Sequence, residues 1–322
     1  DPARGETGAR VPIEAGWIPR VISADGASCA LTRTPATTRP AARDRTPLLV
    51  AAGGGQRRYD LEGVVEPDAF NLDGTGLFVL EWLPPQAPEK YRVRLLDLDS
   101  GALHPLYTRD KVPVPAGAEE EMRGEGRQAV LSPSRQVLYT LYTHQPGHRH
   151  TRDLIAGRPG NVHAFVHVLH LAQGWAYCLD LPHPFGAGPA AGHALAASAD
   201  GRRLAVTDVT SGSLAFADTE TLKIERVVTA ATGGDAASLA FTPDGNRVLI
   251  GAGPAVTAFD RVAGAVAARW PVAAPVRGLA VCGDGARIYV GGAGEIVWLD
   301  AATGAPRGRA PVDGLTALRH VG

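Results

Sequence analysis

Short apolar runs separated by polar turn residues recur along the whole chain. Val248-Leu249-Ile250 and Ile288-Tyr289-Val290 are representative, each bounded by Gly, Asp or Asn. No long window places apolar residues at i, i+3 and i+4 between helix caps, so the predicted elements are strands. The last third repeats itself: residues 193–230, 236–273 and 276–312 align. Each segment carries a short apolar strand, an Asp-Gly turn, a β-branched strand, a small-residue turn, a strand ending in Asp, a polar turn and a fourth strand. The Asp-Gly pairs begin at Asp200, Asp244 and Asp284, spaced by 44 and 40 residues. Asp-Gly between apolar runs is a hairpin signal, because Gly accepts the positive φ of a tight turn. Looser copies lie upstream, with turns at Asp25-Gly26, Asp73-Gly74 and Ser132-Pro133-Ser134-Arg135.

Six such units occupy about 54 residues each, slightly above the usual propeller-blade period. A four-stranded sheet with two apolar faces needs a neighbour on each, and radial closure supplies both while leaving only short edges. The expected fold is therefore all-β, a single β-propeller over residues 1–322. Its blades are expected near 13–66, 67–112, 125–183, 193–231, 235–273 and 275–313, after an irregular leader over 1–12. A strand at 314–322 would close the ring with the N-terminal segment; if it opens a further blade instead, the count becomes seven.

The run Phe241-Thr242-Pro243-Asp244-Gly245-Asn246-Arg247-Val248-Leu249-Ile250 resembles the core of YVTN-type and related WD-like repeats. The segments starting at Asp200 and Asp284 match it in part, and about 120 residues carry the likeness clearly. The resemblance implies a fold and leaves activity open, since propellers of this kind include lactonases, quinoprotein dehydrogenases, surface proteins and binding modules.

The long connections are unevenly placed. With strands named a to d outward, the a–b and c–d turns leave from one end of a sheet, and the b–c and d–a connections from the other. Residues 34–47, 84–90 and 144–160 are b–c connections, while 111–126 and 182–193 are d–a connections. All five belong to one end and to the first four units, which is where a binding surface is expected.

Composition narrows the chemistry. Lys+Arg 32 against Asp+Glu 33 leaves a net charge of −1, so bulk attraction to phosphate is absent and nucleic acid is not expected as a partner. The arginines Arg33, Arg39, Arg43 and Arg45 are the one local basic group. No apolar stretch is long enough for a membrane span. Cys29, Cys178 and Cys282 lie too far apart for a disulfide framework or a zinc motif and are expected as small packed thiols. A chain starting at Asp1 without Met suggests processing and an extracytoplasmic place, with a cytoplasmic one as the alternative.

Two clusters carry candidate chemistry. Six of the ten histidines lie between 144 and 170, and the loop holding His144, His148, Arg149, His150 and Arg152 has the spacing to wrap an ion. On a strand, His163 and His167 would stand about 13 Å apart, too far to chelate together. The acidic run Glu119-Glu120-Glu121, with Arg123, offers a cation or a basic partner a landing place. Both clusters also have plain readings as packed histidines and a solvated loop. No Gly-x-Ser-x-Gly elbow, catalytic Cys signature or phosphate-cradling Gly loop is present. The expected function is a monomeric, non-catalytic propeller without cofactor that binds a protein or small molecule. The alternative is a propeller enzyme of lactonase or quinoprotein type working at the axial mouth.

Overall fold

The computed structural model describes residues 12–124, 126–315 and 318. These form six four-stranded antiparallel sheets, and the all-β expectation holds. The first sheet contains β1 (Ile18–Ile22), β2 (Ser28–Thr32), β3 (Arg45–Ala52) and β4 (Gly55–Glu62). The second contains β5 (Val64–Phe70), β6 (Gly76–Leu83), β7 (Lys90–Asp97) and β8 (Leu103–Pro105), followed by the short β9 (Tyr107–Thr108). The third holds β10 (Gln128–Leu131), β11 (Val137–Tyr142), β12 (Phe165–His170) and β13 (Trp175–Asp180), with a short helix α1 (Thr151–Ile155) between β11 and β12. Strand β9 pairs in parallel with Trp175 and Ala176 at the edge of β13.

The last three sheets follow the repeat. They are β14 (His193–Ala197) to β17 (Lys223–Thr229), β18 (Ala237–Phe241) to β21 (Ala265–Pro271), and β22 (Leu279–Val281) to β25 (Pro306–Pro311). Within each, sequential strands pair as neighbours. Most of the expected closing segment lies outside the described residues; Leu318 forms a parallel bridge with Gly278, beside β22. No helix among the described residues is long and apolar enough to cross a membrane.

The chain forms two compact units. One gathers the described residues up to Gly124 with 154–156 and 170–176; the other gathers 126–153, 157–169 and the remainder from Tyr177. In the first, β1 lies against β5, and Leu48, Val50 and Tyr59 share a core with Phe70, Leu77 and Val79. In the second, β10, β14, β18 and β22 lie side by side in that order.

The fifth sheet shows why such sheets need two neighbours. In β19 (Arg247–Ala252), Val248 and Ile250 enter a cluster with Ala205, Leu214 and Phe216 of the fourth sheet. Leu249, on the other face, joins Leu279, Ile288 and Val290 of the sixth. All three are at most 1% exposed, each contributing about 1.5–3 kcal/mol of burial. The outermost strand β17 instead alternates exposed and half-buried residues, as expected with one face in water.

One hydrogen-bonded turn joins the first two strands of every sheet. In the fifth, the Thr242 hydroxyl oxygen accepts from the Arg247 amide at 3.0 Å, and Asp244 Oδ1 accepts from the Thr242 hydroxyl and the Asn246 amide. Ser23, Asn71, Ser132, Ser198 and Cys282 occupy the Thr242 position elsewhere, each accepting the amide five residues on. Gly245 adopts φ +67°, and Arg135 takes φ +56° at the corresponding place in the third sheet. An Asx-type turn tolerates these exchanges because its bonds run to the backbone.

Candidate functional site

The long connections leave from the ends of strands opposite to this turn. In the first unit, the acidic run is held on strand β7. Met122 exchanges both backbone hydrogen bonds with Tyr91, at 2.8 Å each, and buries its side chain. Glu119 accepts from Arg92 Nη1 at 2.7 Å and pairs with Arg94 Nη1 at 3.2 Å, while Glu81 accepts from Arg92 Nε at 2.7 Å. The bond that Arg92 donates to Glu81 raises the Arg92 pKa, with burial opposing it and the Glu119 charge adding to it. Glu121 pairs with Lys90 at 3.7 Å; Glu120 is half-buried and Arg123 is exposed. Two carboxylates here neutralise two guanidinium groups, so the run anchors its own loop.

Three of the four arginines of the basic group in the first unit are likewise paired with carboxylates. Arg33 pairs with Glu14, Arg39 with Glu89, and Arg45 with Asp60, while Arg43 donates to Thr34 and to the Ala41 carbonyl. A phosphate backbone would have to displace these carboxylates.

In the second unit, the histidine-bearing connection folds back on the third sheet. His148 forms an antiparallel bridge with Val162 and stacks on Phe165, with centroids 4.5 Å apart. His150 meets the same ring edge-on at 5.1 Å and His148 at 4.8 Å. Its Nε2–H donates to Asp180 Oδ1 at 2.5 Å, and Arg152 Nη2 donates to Asp180 Oδ2 at 2.5 Å. Burial pushes the Asp180 carboxyl pKa up, but these two donors outweigh it and the net shift is downward. His148 and His150 are buried, whereas Arg149 is exposed. The ligand atoms of His150 and Cys178 lie within 4.8 Å of one another, and both residues belong to this unit.

His144 sits apart from that stack. It adopts φ +57°, a conformation uncommon outside glycine, with its Nδ1 2.9 Å from the buried Thr143 hydroxyl. The His163 ring lies 6.4 Å away, centroid to centroid.

Two functional-type side chains escaped the sequence reading. His193, fully buried, accepts at Nε2 from the Gly186 amide and donates from Nδ1 to the Pro189 carbonyl, which ties residues 186–193 together. Desolvation lowers its pKa, against the raising effect of Asp208, whose carboxylate stands 3.7 Å from Nε2. Asp180 is the second. It follows Cys178 by two residues, hence shares its face of β13, but its partner His150 is thirty positions away and no spacing pattern announces the pair.

The structure thus places His148, His150 and Arg152 around Phe165 and Asp180, His144 beside Thr143 and His163, and Glu119, Glu120, Glu121 and Arg123 in the first unit. No protein-family model matches the chain, and no curated protein matches it.

Proposed function

We propose that the six sheets are the blades of one YVTN- or WD-like propeller and that the protein is a non-catalytic binding module. It takes a protein or small-molecule ligand on the strand ends that carry the long connections, above all those of the third sheet. The observation carrying this reading is an asymmetry. The a–b turn repeats in all six sheets, whereas residues 143–164, which include α1, and 181–192 leave the opposite end of the third sheet as chain outside the sheets with its own hydrogen bonds. Loops held in place by a repetitive scaffold are the usual carriers of recognition. The carboxylates Glu81, Glu119 and Asp180 are engaged by arginine or histidine, which favours binding over general acid–base chemistry.

Two triple variants test it: Arg149→Ala with His163→Ala and His183→Ala at the loop-bearing end, and Arg202→Ala with Lys223→Ala and Asn246→Ala at the turn end. All six side chains lie away from the packed core. On arrays of immobilised peptides and glycans, the parent chain is expected to bind a defined subset, the first variant to lose it, and the second to keep it. Turnover of lactones or of a dye-coupled alcohol by the parent chain would overturn the non-catalytic reading. Equal binding by both variants would overturn the location.

A further inference from the structure

We infer that His193 is an acid-sensitive latch, which holds the connection over 186–192 in place while neutral and releases it when protonated. The inference concerns that connection alone and stands whether or not its strand end takes a ligand.

The two bonds of the ring fix where its hydrogen sits. The Pro189 carbonyl can only accept, so Nδ1, 3.0 Å away, carries the hydrogen. Nε2 therefore keeps its lone pair, and the Gly186 amide donates to it at 2.9 Å. Both partners belong to the connection that precedes β14, so one fully buried ring ties that connection to itself. The connection is also seated on its neighbours. The Val209 amide donates to the Gly192 carbonyl at 2.9 Å, and a Cβ on Gly186 would stand 2.8 Å from Ala164 Cβ.

A proton taken from water onto Nε2 consumes that lone pair. Nε2–H then confronts the Gly186 N–H, and a buried amide left without an acceptor is costly. An acceptor for the new N–H is already close: Asp208 Oδ2, at the end of β15 (Arg203–Asp208), lies 3.7 Å from Nε2. Asp208 is buried, and its Oδ1 is fixed by the Thr210 and Ser211 amides. Protonation thus exchanges the Gly186 bond for an ion pair with Asp208, and the turn at Gly186 lifts until its amide reaches water. Two arrangements, one for each protonation state, are what a switch requires.

The surroundings of the ring set the direction. Burial lowers the His193 pKa from its ordinary 6.5, the Asp208 charge and the Pro189 bond oppose this, and His144 adds to it. Strands β10 and β18, on either side of β14, bring no titratable side chain; Gln128 of β10 donates to the His193 carbonyl at 2.6 Å. His163 lies against Gly186, the exposed His183 belongs to the same connection, and the exposed Asp235 brings its backbone carbonyl near Gly192. The latch is therefore complete above the ordinary imidazole value and weakens as pH falls below it.

Hydrogen exchange at the Gly186 amide of the full chain, divided by the intrinsic rate at each pH, reads the opening directly. Between about pH 7.5 and 5.5 the opening constant should rise about tenfold, within the limit of about tenfold per pH unit that one proton allows. Amides of β19 should keep their protection over the same range. In the parent chain with isotope-labelled histidine, nitrogen NMR should show the His193 ring passing from the Nδ1–H tautomer to imidazolium at the same midpoint. That readout needs no variant. His193→Gln should make opening at Gly186 independent of pH, and Asp208→Asn should move its midpoint to lower pH. The loop-end triple variant lacks His163 and His183 but keeps the latch, so its opening should follow pH as the parent's does. Constant opening in the parent, unchanged pH dependence in His193→Gln, or simultaneous loss in β19 would overturn the latch. A pH dependence that disappears with His163 and His183 would overturn it as well. No ligand enters these measurements, so failure of the latch and failure of array binding are read separately.

Discussion

The third and fifth sheets share a strand order but not an economy of connection. In the fifth, two residues join β19 to β20 (Ala255–Asp260), and the turn into β21 is an Asp260 turn closed by Gly264 at φ +69°. In the third, residues 143–164 stand between β11 and β12, and His170 replaces the aspartate of the following turn. The backbone of the a–b turn nevertheless agrees, since Arg135 and Gly245 occupy nearly the same φ. Strand pairing and burial on both faces therefore constrain geometry strongly and side-chain identity weakly. At the other strand end nothing in the repeat specifies the chain, and there the third sheet diverges.

Core truncations give the largest effect. Phe259, fully buried among Val248, Ile250 and Phe216, serves only the interior of the repeat. Phe165 is as deeply buried, but it also carries His148 and His150 on its ring. Phe259→Ala and Phe165→Ala should each cost about 3–5 kcal/mol in denaturant unfolding. Only Phe165→Ala should open residues 144–160 to native-state proteolysis. Cleavage there in Phe259→Ala would show that the loop depends on general stability and not on its own seat.

The turn glycines come next. An alanine at Gly245 meets no atom within 4 Å but must hold φ +67°, which costs about 1–2 kcal/mol. Arg135→Gly in the third sheet relieves that conformation yet frees the unfolded chain, two terms of about 0.4–1 kcal/mol or slightly more that oppose each other. Thermal unfolding should thus show a clear loss for Gly245→Ala and little change for Arg135→Gly. A large loss for the second would mean that the arginine side chain itself holds the turn.

These comparisons also locate what was legible in the sequence. Asp200-Gly201, Asp244-Gly245 and Asp284-Gly285 gave the strand boundaries because the turn chemistry is local, with donor and acceptor within five residues. Ser132-Pro133-Ser134-Arg135 remained recognisable for the same reason. The unequal loops were visible as length alone. What lies inside them was not: Asp180 with His150, and Arg92 with Glu119, join elements about thirty residues apart through side chains with no periodic relation. The acidic run looked free because its arginines are spaced along a strand, two residues apart on one face, and their partner arrives from a loop.

The smallest expected effect separates the same two sheets by acid. Asp244 has a lowered pKa, first through the Thr242 hydroxyl and then through the Asn246 amide, with burial opposing weakly. A carboxyl lowered on folding stabilises the folded state above its unfolded value, near 3.8, and that contribution disappears as pH falls through the folded value. The third sheet has Ser134 in this place, bonded to Ser132 at 3.1 Å, and a hydroxyl does not titrate there. Between pH 5 and pH 2, hydrogen-exchange protection at the Asn246 and Arg247 amides should therefore fall ahead of that at Gln136 and Val137. Asp244→Ser should abolish the difference, since it gives the fifth sheet the third sheet's turn. If both turns instead lose protection together, acid acts through the whole unit, and local turn chemistry does not govern how these sheets open.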